Sequence, residues 1–211
     1  REVFNMMGKT HLSGGLASGL LATQLNIDKI LLSSEASTNP INAVALISGS
    51  AIGSLLVDID HINSIAGRKL RIFSIPMNLL QRLFSFLKLK NASKMFGHRG
   101  ITHSVLLWVV FLVALLSQVN KIDMTVTQNS LIVYFLFGII VGAFSHLFLD
   151  SLTVSGIPVF LPFSFKRFRL LRIRTGTKVE IIVNCFLWVL IAFSVKSIVN
   201  ISEISTITPS L

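Results

Sequence analysis

The segment GHRGITHS, residues 97–104, places two histidines, an arginine and two hydroxyl side chains directly before the apolar run VLLWVVFLVALL. A turn between the two glycines would allow His98 to fold back beside His103. Imidazoles bind metals or carry protons, and Arg99 between them suits an anionic substrate. Thr102 and Ser104 are interpreted as helix caps. The segment therefore predicts metal or proton chemistry at the start of a helix.

Two other segments carry compatible groups. VDIDH holds Asp58, Asp60 and His61 within one turn, so a helix end that unwinds there can aim two of them at one ion. SHLFLD places His146 and Asp150 four residues apart, on one helix face. Imidazole and carboxylate are the ligands of zinc, manganese or iron in hydrolytic sites. The combination predicts a divalent-metal site, with zinc first.

The composition indicates where such a site lies. Of the 211 residues, 52% are hydrophobic and only 13% charged, and the mean hydropathy is +0.75, which is typical of an integral membrane protein. The single cysteine excludes a disulfide framework or a cluster of thiolates. The fold class predicted is all-α: one domain, residues 1–211, forming a polytopic bundle of about five transmembrane helices. The expected spans are Leu12 to Leu25, Ile41 to Val57, Val105 to Val119, Leu131 to Leu149 and Val179 to Val199.

The net charge of +10 is concentrated in two of the connecting segments. Fourteen of the nineteen basic residues lie between His61 and Arg99 or between Asp150 and Val179, and the alternate loops are nearly empty. This asymmetry predicts cytoplasmic basic loops, a cytoplasmic N-terminus and multi-pass insertion in a bacterial inner membrane. Anionic membrane lipid is the expected partner, and nucleic acid is not expected.

With this topology, the histidines and four of the nine acidic residues converge at the cytoplasmic side. His11 begins the first helix, Glu180 opens the fifth, and the other acidic residues close the second and fourth helices. Carboxylates near apolar segments are costly and are usually retained for function. Asp58 and Asp150 also oppose the macrodipole at a helix C-terminus, which disfavours a purely structural role.

Small and amphipathic segments are predicted to support this arrangement. Glycines four residues apart, as in 15/19, 49/53 and 138/142, allow membrane helices to approach closely. Residues 151–165 are expected to form an amphipathic re-entrant or interfacial loop that roofs the site. Residues 72–94 alternate apolar and basic side chains and predict a basic amphipathic helix on the inner leaflet or a solvated surface helix.

Five segments together resemble one family: KTHLSGGLASG, GSLLVDIDHINS, GHRGITHS, SHLFLDSLTVSGIPVFLPF and RTGTKVE. They look like the YdjM-like, LexA-regulated, membrane-bound metal-dependent hydrolases of the bacterial inner membrane. The resemblance runs in order from Lys9 to Glu180 and implies a distant likeness to zinc-dependent phospholipase C folds. It also implies metal-binding or catalytic roles for His11, Asp58, Asp60, His61, His98, His103, His146, Asp150 and Glu180.

The leading hypothesis is a metal-dependent hydrolase that acts at the cytoplasmic face on a phosphoester or other ester, with a lipid as one candidate. The predicted metal ligands are His11, Asp60, His61, His98, His103, His146 and Asp150. Asp58 or Glu180 is expected to serve as general base or to support the ligands from outside the metal's own shell, and Arg99 to stabilise negative charge.

Three alternatives stay open. The first is metal-ion binding or transport without hydrolysis, although transport sites usually lie near the bilayer midplane. The second is a lipid phosphatase with a histidine nucleophile, suggested by the H-x-x-x-D spacing in SHLFLD, although a P-S-G-H stretch is absent. The third is a purely structural membrane protein.

Overall fold

The computed structural model describes residues 2–25, 40–97, 99–119, 121–122 and 127–207. These residues are mainly helical, as predicted. Two 3₁₀ turns, Val57–Asp60 and Ile101–His103, and one short two-stranded sheet complete the fold. In chain order the helices and strands are α1 (Glu2–Gln24), α2 (Pro40–Leu56), α3 (Ile65–Lys69), α4 (Arg71–Phe86), α5 (Lys90–Met95), α6 (Val105–Val119), α7 (Thr127–Ser151), β1 (Ile157–Pro158), β2 (Arg167–Phe168) and α8 (Lys178–Ile207).

Three helical segments among the described residues are long and apolar enough to cross a membrane: Pro40–Asp60, Thr127–Ser151 and Lys178–Ile198. The expectation of about five spans is therefore confirmed only for these three. The fourth candidate, α6, is apolar but has 15 residues, about 22 Å at 1.5 Å per residue, which is shorter than the hydrocarbon core. The fifth, α1, carries more glycine, serine and threonine and does not reach the same hydropathy.

The central contact of the bundle joins α2 to α7, and glycines make it possible. A Cβ atom on Gly49 or Gly53 would overlap the backbone of α7, and one on Gly138 or Gly142 would overlap the backbone of α2. Carbonyl groups of one helix thus lie directly against the glycines of the other. The prediction that these glycine pairs serve close packing is confirmed.

The contact has a regular register. Gly138 lies against the carbonyl of Leu46, and Gly142 lies against the carbonyl of Ser50, four residues later on both helices. The two helices therefore run in the same direction. The next pair in this register is His146 with Ser54, so the series of close contacts leads into the functional residues at one end of the bundle.

Helix α1 packs against α2 through another small-residue surface. The Ser50 hydroxyl donates a hydrogen bond to the carbonyl of Gly15 at 2.7 Å, and a Cβ atom on Gly19 would contact Ser50. Helix α1 begins at Glu2, so His11 lies more than two turns inside it rather than at its start as expected. The preceding residues contain no proline, and they extend the helix beyond its apolar part.

The regular α-helix of α2 ends at the VDIDH segment, as predicted. The chain continues as the 3₁₀ turn, in which Asp58 has non-helical dihedral angles (φ −82°, ψ 15°), and His61 after the turn is extended. Ser64 stabilises this exit because its hydroxyl donates to the carbonyl of Asp58 at 2.7 Å and accepts from the amide of Gly67, which caps α3. The unwound turn directs two aspartates of one segment to different places.

Two connecting segments differ in detail from the expectation. Residues 72–94 form two helices, α4 and α5, because Lys88 between them adopts a positive φ of 58°. The segment after α7 contains the antiparallel strands β1 and β2, and we call residues 152–173 the cap segment. The hydroxyl of Ser104 donates to the carbonyls of Val159 and Leu161, which ties the cap segment to the start of α6.

Candidate metal centre

Five of the predicted functional side chains converge at one end of the bundle. They form two overlapping groups whose ligand atoms lie within 4.8 Å of one another, one in which His11 and Asp150 accompany His146, and one in which Asp58 and His103 accompany His146. We call these five residues the His-Asp cluster. They come from α1, the two 3₁₀ turns and α7, so the cluster exists only in the folded bundle.

The backbone of α2 sets the orientation of His146. The Nδ1 of His146 lies 2.6 Å from the carbonyl oxygen of Ser54, and this oxygen can only accept. Nδ1 therefore carries the proton, and Nε2 presents its lone pair to the cluster. A histidine held by a backbone carbonyl in this way is the usual arrangement for a metal ligand. Nε2 lies 3.7 Å from Oδ2 of Asp150, one turn further along α7.

His103 is held between carboxylates on both ring nitrogens. Its Nδ1 lies 3.4 Å from Oδ2 of Asp60, and its Nε2 lies 3.3 Å from Oδ1 of Asp58 and 3.5 Å from Oδ2 of Asp150. Burial alone would lower the pKa of His103, but Asp58 and Asp60 outweigh it and raise this pKa to about 9. A cation entering the cluster must therefore displace a proton from this ring.

Four ligand atoms of the cluster have nearly uniform spacing. Nε2 of His103 and His146 and one oxygen each of Asp58 and Asp150 alternate around a ring with separations of 3.3, 3.8, 3.7 and 3.5 Å. A tetrahedral zinc ion with ligand bonds of about 2.0 to 2.1 Å requires ligand separations of about 3.3 to 3.4 Å. Each of these four separations is thus within about 0.5 Å of the value for such an ion.

Hydrogen bonding and charge point the same way. Nε2 of His146 and Oδ2 of Asp150 are buried and form no hydrogen bond within the described part of the chain. Buried polar atoms are nearly always satisfied, and an ion is one of the few explanations for an exception. Once the histidines have lost their extra protons, the carboxylates of Asp58, Asp60 and Asp150 outnumber the guanidinium of Arg99, which pairs with Asp150. The residues therefore fit a divalent cation.

The side chain of Arg99 forms its hydrogen bonds within the protein. Arg99 adopts a positive φ of 60°, which is uncommon for a residue other than glycine, and its side chain is buried. Its guanidinium donates to Oδ1 of Asp150 at 2.7 Å, to the hydroxyl of Thr153 at 3.1 Å and to the carbonyl of Gly156 at 3.5 Å. Arg99 thus fixes one oxygen of Asp150 and holds the cap segment over the cluster.

His11 contacts other parts of Asp150 and His146 than His103 and Asp58 do, and Glu180 lies near His11. The His11 ring stacks on that of His146 at a centroid distance of 3.8 Å, and its Nε2 lies 3.5 Å from Oδ1 of Asp150. The carboxylate of Glu180 accepts from the hydroxyl of Thr10 at 3.2 Å and from the amide of Gly176 at 2.6 Å. Glu180 therefore ties α8 to α1 beside the cluster, which agrees with the predicted alternative of a supporting role and leaves the role of general base a prediction.

The cluster is enclosed except at one edge. The side chains of His103, His146 and Asp150 are at most 1% exposed, whereas that of Asp58 is 24% exposed. A mostly apolar pocket borders the other side at His11 and Glu180, with Leu149 and Ile173 in its wall. A ligand from solution reaches the cluster most directly over Asp58.

The remaining predicted residues have different positions. His61 is half-buried and belongs to neither group of ligand atoms. His98 lies outside the described residues. Asp60, predicted as a ligand, contacts Nδ1 of His103 and belongs to neither group of ligand atoms. Asp58, predicted as a base, is a member of one of these groups. Two aspartates in one turn look equivalent in a sequence, and only the unwound backbone distinguishes them.

Several partners of the cluster were not predicted. Thr102 and Ser104 were predicted as helix caps, and the structure gives their hydroxyls other partners: that of Thr102 donates to Oδ2 of Asp60 at 2.8 Å, and that of Ser104 binds the cap segment. Thr153 receives Arg99, and the indole of Trp108 donates to the carbonyl of Thr102 at 2.8 Å. The one available signal was the position of Thr102 directly before a candidate ligand.

Replacing Thr102 with valine is expected to weaken zinc binding about 10- to 100-fold, the usual cost of losing a residue that orients a ligand. Valine keeps the shape but removes the hydroxyl that holds Asp60 against His103. Competition with a fluorescent zinc chelator would measure the affinity. Thr102→Ser, which retains the hydroxyl, is the matched control, and equal affinities of the two variants would contradict this role.

Comparisons with known proteins agree with this architecture. A family model described as YdjM inner membrane protein matches residues 6–205. The uncharacterized protein YvsG of Bacillus subtilis (strain 168) is 28% identical over 173 residues, which cover 82% of this chain and 83% of YvsG. No solved structure matches the chain.

Two further relatives carry the family's own description. Inner membrane protein YdjM of Escherichia coli (strain K12) and that of Shigella flexneri are each 30% identical over 125 residues, or 59% of this chain and 53% of theirs. The aligned part spans about half the length of these two proteins. Because the family model covers nearly the whole bundle and every residue of the cluster, the chain belongs to the YdjM inner membrane protein family.

Proposed function

We propose that the protein is a metal-dependent hydrolase of the inner membrane that cleaves a phosphoester or other ester at the cytoplasmic face. The observation that carries the proposal is the set of four imidazole and carboxylate ligand atoms with neighbouring separations of 3.3 to 3.8 Å, in which only the Asp58 side chain is more than 1% exposed. A site that only stabilised the fold would not need Nε2 of His146 and Oδ2 of Asp150 to be buried without a hydrogen bond to the described residues.

The residues that would hold the cation are Asp58, His103, His146 and Asp150, with His11 adjoining. Two imidazoles and two carboxylates suit zinc, and manganese or iron are also compatible. A bound cation of this kind supplies Lewis-acid polarisation of the ester and lowers the pKa of water.

The chain's own residues supply positioning and proton transfer. Asp58 is the exposed member of the cluster, so its carboxylate lies where a substrate and an attacking water arrive. Its Oδ1 is the candidate ligand atom, and we assign its other oxygen, Oδ2, as the general base. Asp60 and Thr102 hold the His103 ring in place. Arg99 positions Asp150 and acts on the substrate only through that carboxylate.

The cytoplasmic location follows from the charges around the cluster. Both basic segments adjoin the end of the bundle that holds the cluster: residues 65–95 follow the first 3₁₀ turn, and residues 166–178 follow α7. Basic residues accumulate on the cytoplasmic side of inner membrane proteins. In the proposed topology the N-terminus lies inside and the C-terminus outside.

The first test is elemental mass spectrometry of the full chain purified in detergent. The wild type is expected to carry about one to two equivalents of zinc, manganese or iron, and a His103→Ala, His146→Ala double variant is expected to carry almost none. His61→Ala is the matched control, expected to keep its metal because His61 lies outside both ligand groups. Absence of metal from the wild type after growth with added metal would contradict the proposal.

The second step separates hydrolysis from metal binding alone. Metal-loaded wild type and the double variant would be compared on phosphomonoesters, phosphodiesters and phospholipids, with chelated wild type as a further control. Turnover that depends on both the metal and the two histidines supports the hydrolase. A stable metal complex without turnover on any of these substrates would favour the alternative, a metal-binding or metal-transporting membrane protein.

A further inference from the structure

Helix α4 is amphipathic, but its apolar face points away from the protein. In a water-soluble protein the apolar face of such a helix packs against the core. A continuous apolar stripe faces outward, with Phe86 84%, Ile72 76%, Leu79 59%, Leu83 50% and Ile75 42% exposed. These residues recur at intervals of three and four and therefore lie on one face. An exposed apolar stripe of this extent marks a surface that another phase or molecule covers.

The opposite face of α4 packs against the protein. Ser74 is fully buried, and its hydroxyl donates to the carbonyl of Gly67 at 2.8 Å. Gln81 lies against Gly97, and the Phe84 ring stacks on Phe96 of the segment after α5. These contacts fix the rotation of α4 about its axis, so the apolar stripe cannot turn inward.

Charge identifies what covers the stripe. The chain from His61 to Ile122 contains no acidic residue, whereas α3, α4, α5 and their connections carry a group of cations. They are Arg68, Lys69, Arg71, Arg82, Lys88, Lys90 and Lys94. Arg71 and Arg82 lie on α4 itself. Apolar side chains rimmed by Lys and Arg are the signature of a helix lying in the headgroup region of an anionic leaflet.

The cap segment repeats this combination. Phe163 and Phe160 are 85% and 62% exposed, and Lys166, Arg167 and Arg169 follow them within a few residues. The cap segment and α4 flank the same cluster, because α4 follows the turn that carries Asp58 and the cap segment receives Arg99. Two separate elements around the cluster thus present apolar side chains with cations beside them.

We propose that the outward stripe of α4, together with Phe160 and Phe163, is a docking surface for the anionic leaflet of the inner membrane. The apolar side chains insert between the acyl chains, and the flanking cations contact lipid phosphates. This surface is independent of hydrolysis and would hold the open edge of the cluster at the level of the headgroups. It does not rest on the proposed enzymatic activity.

The test uses the full chain in nanodiscs. In a Cys185→Ser background, which removes the sole cysteine, a bimane label is attached to Leu79→Cys, Leu83→Cys or Phe163→Cys. Ser85→Cys is the matched control, because Ser85 is exposed on α4 but lies off the stripe. Brominated phospholipids are expected to quench the three stripe and cap labels, and aqueous iodide is expected to quench the control.

The anionic preference has its own readout. At equal mole fractions, brominated phosphatidylglycerol is expected to quench the Leu79 and Leu83 labels at least about twofold more than brominated phosphatidylcholine, because each cation near an anionic surface attracts it. Replacing Lys88 and Lys90 with glutamine should reduce this preference without abolishing quenching.

Three results would overturn the proposal. The first is iodide quenching of the stripe labels without lipid quenching, which would show a water-exposed helix. The second is shielding of these labels from both quenchers, which would show that a protein chain covers them. The third is equal quenching by the two brominated lipids, which would remove the anionic preference. An unchanged thermal unfolding temperature of each labelled variant confirms that the fold is intact.

Discussion

Replacing Asp150 with alanine is expected to remove the metal and to lower the free energy of unfolding by about 3 to 5 kcal/mol, the typical result of breaking a buried ion pair from one side. The carboxylate has two tasks. One oxygen accepts from Arg99 at 2.7 Å, and the other faces His103 and His146 among the candidate ligand atoms. Alanine leaves the guanidinium buried without this partner and removes one ligand.

A second substitution separates the effect of the ion pair on stability from the effect of the lost ligand on metal binding. In an Arg99→Met, Asp150→Ala double variant, no unpaired cation remains, so most of the lost stability should return while the metal content stays near zero. Thermal unfolding in detergent and elemental mass spectrometry measure the two quantities. If the double variant were as unstable as Asp150→Ala alone, the ion pair would not be the cause of the loss.

Replacing Gly142 with alanine is expected to destabilise the protein by about 2 to 3 kcal/mol, at the upper range of overpacking costs. The new Cβ atom would overlap the carbonyl oxygen of Ser50, and a backbone atom cannot move aside as a flexible side chain can. The helices α2 and α7 must therefore separate.

The same substitution should weaken metal binding without touching a ligand. His146 lies one turn beyond Gly142, and Asp58 lies just beyond the end of α2, so separation of the helices moves ligand atoms apart. Chelator competition would measure the affinity, and thermal unfolding the stability. Ile132→Ala, at a position 57% exposed on the same helix, is the control expected to change neither. Unchanged metal affinity in Gly142→Ala would show that the contact does not set the ligand spacing.

The sequence was most informative where composition and spacing act locally. The glycine pairs predicted close packing because a missing Cβ has one main use in a membrane helix. His146 and Asp150 were predicted to share a face because a helix of 3.6 residues per turn brings them together. The same motifs carry the family resemblance, which agrees with the family match.

The rest depends on contacts between distant residues. Arg99 pairs with Asp150 and is not free to bind a substrate, because residues 99–103 and 150–156 fold against each other. The different positions of Asp58 and Asp60 follow from one backbone distortion. The position of His11 inside α1 depends on polar residues before it that hydropathy alone does not count as helix.

The register between α2 and α7 has a mechanical consequence. Gly138, Gly142 and His146 meet Leu46, Ser50 and Ser54 in steps of four residues on both helices, so the two move as one parallel unit. Thinning or thickening of the bilayer tilts such a unit as a whole and does not slide one helix along the other. We therefore expect the spacing of the ligand atoms in the cluster not to depend on the thickness of the bilayer, and to be the same in short-chain and long-chain lipids.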